Sequence, residues 1–143
     1  MPPRGIANRN PGNLDRTSPR AGWRGALPDE ALTDSRFEQF EDVLYGLRAM
    51  ARVLVNYQTR HGLKTIRAII SRWAPPNENV TNSYIGAIAT ACMVEADEPY
   101  DLSDDDSLVR IMVAMIRFEN GSQPYSLTTI REGIALARME KET

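Results

Sequence analysis

A chain of 143 residues with 42% hydrophobic and 25% charged content has the size of one domain around one core, which argues against a two-domain enzyme. No apolar run approaches the roughly 20 residues that span a bilayer, so no membrane insertion is expected. Seventeen Lys and Arg against nineteen Asp and Glu leave a net charge of -2, and the molecule as a whole offers no polyelectrolyte attraction to nucleic acid.

Cys92 and His61 stand alone in their residue types. An intramolecular disulfide, a thiolate zinc cluster and a multi-histidine metal site are all excluded. No metal and no other cofactor is expected, and any catalysis falls to carboxylates. The first residues, Met1-Pro2-Pro3-Arg4, carry no apolar h-region, so no Sec signal peptide is expected.

In chain order, residues 1–34 are rich in Pro, Gly, Asn and Arg and show neither helical nor strand periodicity. This segment reads as irregular, with Asn10-Pro11-Gly12-Asn13 as a turn and Trp23 and Leu27 as apolar anchors. Its arginines, Arg4, Arg9, Arg16, Arg20 and Arg24, outnumber its acids and form a nonspecific basic loop. The motif Arg36 to Asp42 follows, with Phe37 and Phe40 as core candidates and Ser35 and Glu38 at capping-box spacing.

From Asp42 the longest helix is expected, with Val43, Leu44, Leu47, Met50, Ala51, Leu54 and Tyr57 on one face and Gly62 as its stop. A second apolar face, Ile66, Ile69, Ile70 and Trp73, runs to Pro75-Pro76. The next helix is expected to start near Asn79 or Thr81 and to carry Tyr84, Ile85, Ile88 and Cys92. An acidic loop from Glu95 to Asp106 ends in aspartates that complement the dipole of the following helix and need no ligand. That helix, through Leu108, Ile111, Met112, Met115 and Ile116, is the most apolar and the candidate for the centre of the core. It closes at Glu119-Asn120-Gly121, and a last amphipathic helix carries Ile130, Ile134, Leu136 and Ala137.

Three carboxylates stand out. Glu38, like Glu41, borders the irregular Arg-rich segment, and Glu78 falls near a helix start, where a negative charge is favourable. Glu119 sits in the last turn of the most apolar helix, where the dipole opposes it. Either a buried partner such as an arginine holds it, or it is a partly desolvated carboxyl able to act as a general acid. Trp73, Asn77, Asn79 and Tyr84 together offer the aromatic faces and amides that a carbohydrate requires. His61, beside Gly62 at a helix end, and Cys92, on an apolar face, read as structural.

Several blocks also carry a resemblance: Arg4-Gly5-Ile6, Asn8 to Asn13, Trp23 with Gly25, Phe37 with Phe40, Gly46-Leu47-Arg48-Ala49, Arg72 to Thr81, and Glu119 to Ser126. In these the chain resembles small tailed-phage proteins labelled virion, structural or endolysin-like, and beyond them the lysozyme-like peptidoglycan hydrolases. The resemblance implies an all-α, lysozyme-like single domain of about five helices in which residues 1–34 help to form a cleft. It implies a muramidase, glucosaminidase or lytic transglycosylase acting on peptidoglycan glycan strands, or a non-catalytic virion protein that keeps the fold and contacts other virion proteins. The expected location is the bacterial host cytoplasm or the phage particle.

Related glucosaminidases place a catalytic Glu at the end of a helix that precedes the Asn-rich block. Here the helix ending in Glu119-Asn120-Gly121 would supply it in a circularly permuted order. Glu119 would then be the general acid, with Glu78, Glu38 or Glu41 as second carboxylate, or none if the substrate's acetamido group assists. Asn8, Asn10, Asn13, Trp23, Trp73 and Tyr125 would line the glycan cleft.

Overall fold

Short polar side chains start the long helices, each accepting a hydrogen bond from a backbone N–H that would otherwise be orphaned. In the computed structural model, which describes residues 2–74 and 77–139, Asp42 caps α2 (Val43–Thr59) through the N–H of Leu44. Thr65 caps α3 (Ile66–Trp73) through Ala68, Asn77 caps α4 (Glu78–Cys92) through Val80, and Asp104 caps α5 (Asp105–Asn120) through Ser107. Ser126 Oγ accepts from the N–H of Thr129 at the start of α6 (Leu127–Met139). The start of α4 therefore lies a little before the expected Asn79 or Thr81, because Asn77 takes the capping role. Glycines stop two helices through the left-handed region: Gly121 (φ +74°) follows α5 and Gly62 (φ +66°) follows α2, both as expected from the sequence.

The described residues form an all-helical bundle without a β-sheet. The five long helices match the expectation, while the amino-terminal segment adds the four-residue α1 (Arg4–Ala7) and a 3₁₀ turn at Asp29–Ala31. Burial explains the bundle: Leu47, Met50 and Leu54 of α2, Ile66, Ile69 and Ile70 of α3, Ile88 of α4, and Leu108, Ile111, Met112, Met115 and Ile116 of α5 are completely enclosed. Cys92 is a free, buried core residue, and burial pushes its thiol up. Helix α5 packs against α1, α2, α4 and α6, the central place that its composition predicts. Helices α2 and α6 approach closely because residue 133 is glycine: a Cβ there would lie 2.6 Å from Leu47 Cβ.

Residues 2–42, the amino-terminal arm, are ordered by a different set of forces. The stretch 36–41 does not begin a helix from Ser35 as the capping-box spacing suggests. It runs extended between two others, with Glu38 N–H donating to Leu14 O, Leu27 N–H to Gln39 O, and Glu41 N–H to Gly25 O. Phe40 is buried as expected. Phe37 is half-buried between the guanidinium groups of Arg4 and Arg36, 4.5 and 4.8 Å from its ring centre. Of the arginines that read as a basic loop, Arg4 pairs with Asp34 and Arg20 with Asp29 and Glu38, while Arg24 lies over the Tyr45 ring of α2; Arg36 pairs with Asp15. Arg16 donates to the carbonyls of Asp34 and Phe37. The arm docks on α2 at Gly46, where any Cβ would overlap the carbonyl oxygen of Arg9.

Candidate functional site

Asn13 and Glu119, 106 residues apart, meet at the end of α5. The Asn13 amide donates to Glu119 Oε1 at 3.0 Å, and the Tyr84 hydroxyl, from α4, donates to Oε2 at 2.9 Å. Each carboxylate oxygen thus faces a neutral donor from a different segment, and these donors offset the unfavourable helix dipole at that position. Among the described residues an amide and a phenol, and no arginine, hold Glu119. Burial and the adjacent carboxylate push the Tyr84 hydroxyl far above its ordinary value, so this phenol remains a protonated donor.

Asn120 locks the arm to the same helix end. Its amide donates to the carbonyls of Pro11, across 109 residues, and of Ile116 in its own helix. Gly5 makes the close fit possible: a Cβ at this position would lie 2.5 Å from Asn120 Oδ1, 2.7 Å from Asn13 Oδ1 and 2.9 Å from the Asn10 carbonyl. Both side-chain oxygens are buried without a hydrogen-bond partner.

Beside the carboxylate lies an aromatic pair. Phe118, 38% exposed, stacks on Tyr84 with ring centres 3.9 Å apart and planes 18° from parallel. Trp73 lies against the Asn-rich turn, its Cζ2 2.8 Å from where a Gly12 Cβ would sit, and meets Tyr57 edge-on at 6.2 Å. Tyr125 is half-buried against the core.

The other residues singled out by sequence lie elsewhere or are committed to the arm. Asn8 donates to Asp34. Asn10, fully buried, spends its amide on the Leu14 and Glu38 carbonyls and its oxygen on the Leu14 N–H. Glu38 is only 1% exposed and paired with Arg20, so its carboxylate holds the arm together. Trp23 belongs to a separate hollow of about 550 Å³, walled also by Arg20, Leu27, Pro28, Asp29 and Glu30. Glu78 is exposed in the first turn of α4, where the dipole alone accounts for it. Glu41 is also exposed, and its carbonyl accepts from Arg9.

Phe118 escaped the sequence reading, although an aromatic residue immediately before a helix-end carboxylate could have drawn attention. The acidic stretch leading into α5 is consumed internally: Asp97 pairs with Arg67, Asp105 with Arg138, and Asp106 with Arg131. Among the described residues no group of three or more His, Cys, Asp or Glu side chains could hold a metal ion, and no helix is long and apolar enough to cross a membrane.

No family model matches the chain. It is similar to Protein P5 of Pseudoalteromonas phage PM2, with 37% identity over 131 residues that cover 91% of this chain and 79% of the relative. At that identity and coverage, the chain belongs to the phage family of Protein P5.

Proposed function

We propose that this phage-associated protein binds and cleaves the glycan strands of peptidoglycan, with Glu119 as the acid–base group. One observation carries the reading: the end of α5 presents Glu119 directly beside the Asn-rich block, oriented at both oxygens by Asn13 and Tyr84. This is the juxtaposition that a circularly permuted lysozyme-like site requires. Glu119 would deliver a proton to the glycosidic oxygen as the bond to the anomeric carbon breaks. Glu38 is enclosed with Arg20, so the substrate's own acetamido oxygen is the better second group, closing on the anomeric carbon. A water or sugar hydroxyl oxygen then bonds to the anomeric carbon while the ionised Glu119 takes its proton, and the bond to the acetamido oxygen breaks as the acetamide is restored. Asn13, Trp73, Phe118 and Tyr125 would line the strand.

The test is glycan release from purified sacculi. Glu119→Gln keeps an acceptor for one of the two donors, so the fold should persist while release falls at least about 100-fold, as expected for loss of a general acid; Glu78→Gln should release normally. Undiminished release by Glu119→Gln would sink the assignment.

A second reading has its own support. A carboxylate satisfied at both oxygens by donors from the arm and from α4 is also what a purely structural keystone looks like, as in a virion protein that keeps a fold without its chemistry. Wild-type protein that binds sacculi yet releases nothing, together with marked destabilisation of Glu119→Ala, would favour it.

A further inference from the structure

On another face of α5 lies a groove of about 460 Å³ that none of the residues above requires. Its walls come from three helices: Ala91 of α4, the stripe Asp106, Val109, Arg110, Val113, Ala114 and Arg117 of α5, and Leu127 and Arg131 of α6. The floor is apolar and recessed, with Val109 and Ala114 buried, while Leu127 on the rim is 56% exposed. Arg110 and Arg117 are exposed and have no ion-pair partner among the described residues, and Arg131 is held by Asp106 at 2.6 Å. In a chain of net charge -2, this groove gathers three cations and one anion.

We propose that the groove docks an acidic amphipathic helix of a partner protein. Shape and charge complementarity point to this occupant. Arg110 and Arg117 are seven residues apart on one helix, about 10.5 Å along its axis, with Val113 and Ala114 between them. A partner helix laid along the groove would present carboxylates at i and i+7 to the two arginines and apolar side chains at i+3 and i+4 to the floor. A single phosphate headgroup would need converging cations, whereas these are strung along a line. The buried Val109 and Ala114 of the floor suit the apolar ridge of a helix. Asp106 holds Arg131 in place on the opposite rim, ready to share its guanidinium with a third carboxylate.

Arg117 and Glu119 project about 160° apart around α5, so a helix in this groove leaves the Glu119 carboxylate uncovered. Docking and glycan chemistry are therefore separable.

The probe is a labelled, helix-forming peptide of about 16 residues with Glu at i and i+7 and Leu at i+3 and i+4, titrated into the full chain by fluorescence anisotropy. Saturable binding should weaken with added salt and fall at least about tenfold in the Arg110→Glu/Arg117→Glu double variant. A peptide carrying Lys in place of both Glu should bind the double variant and not the wild type. Leu127→Asp should weaken the acidic peptide without altering the circular dichroism of the protein, and glycan release should be unchanged in the double variant. No peptide binding, equal binding to wild type and double variant, binding of phosphatidylglycerol vesicles in place of the peptide, or a concentration-dependent dimer that the double variant abolishes would each overturn the proposal.

Discussion

The arm and the bundle are both ordered, yet by different physics. The bundle is held by enclosed Leu, Ile and Met side chains, so its stability scales with apolar area and with the absence of voids. The arm buries few large apolar groups and is held by side-chain hydrogen bonds, ion pairs and cations over Phe37. The contrast teaches that a segment without periodicity can be as defined as a helix when its polar groups satisfy one another, and that such order answers to charge and pH where a core does not.

Three substitutions test this contrast. The largest effect belongs to the bundle. Leu47→Ala removes a fully enclosed side chain at the contact between α2 and α6 and should cost about 2–5 kcal/mol, read as a lowered midpoint of cooperative denaturant unfolding in which both regions are lost together.

Gly46→Ala should separate them. Alanine raises helix propensity in α2 by about 1 kcal/mol relative to glycine, yet its Cβ would overlap the Arg9 carbonyl on which the arm rests. Far-ultraviolet circular dichroism should therefore show the bundle intact, while trypsin cuts the arm after Arg16, Arg20 or Arg24 many times faster than in the wild type. Equal cleavage rates would mean that the arm does not depend on this seat.

The smallest effect is electrostatic. Asp34, whose side chain is 7% exposed, is held well below the usual carboxylate range, first by the Arg4 guanidinium and then by the Phe37, Asn8 and Arg36 donors. A depressed folded value means that the stabilisation is complete above the unfolded value near pH 4 and fades as pH falls below it toward the folded one. Asp34→Asn should cost the arm about 1–2 kcal/mol at neutral pH and flatten the acid response below pH 4. Trp23 fluorescence in a Trp73→Phe background would follow the arm. An acid response that persists unchanged in Asp34→Asn would assign it to other groups.

The helices were legible because their information is local: a 3.6-residue apolar period between a capping Asp, Thr or Asn and a closing glycine. Residues 36–41 were not, because Ser35 and Glu38 satisfy a local capping pattern while the outcome is decided by distant partners, Leu14, Gly25 and Arg20. The candidate site divides in the same way. The unusual position of Glu119 could be read from helix polarity alone, whereas its donors Tyr84 and Asn13 lie 35 and 106 residues away and no periodicity connects them. The asparagines show the limit from the other side: Asn8, Asn10 and Asn13 look equivalent in sequence, but only Asn13 faces the carboxylate, and the first two hold the arm.

The hydrogen bond from Asn120 to the Pro11 carbonyl spans 109 residues, and this has a consequence during synthesis. At about 5–20 residues per second, the arm leaves the ribosome on the order of ten seconds before the end of α5 exists. Through that interval the part of its seat supplied by Glu119 and Asn120 is missing, even after α2 has been made. A hydrophobic strand in that position would invite association with other nascent chains. A polar segment whose cohesion comes from asparagine amides and arginine–carboxylate pairs can remain hydrated until its seat is complete.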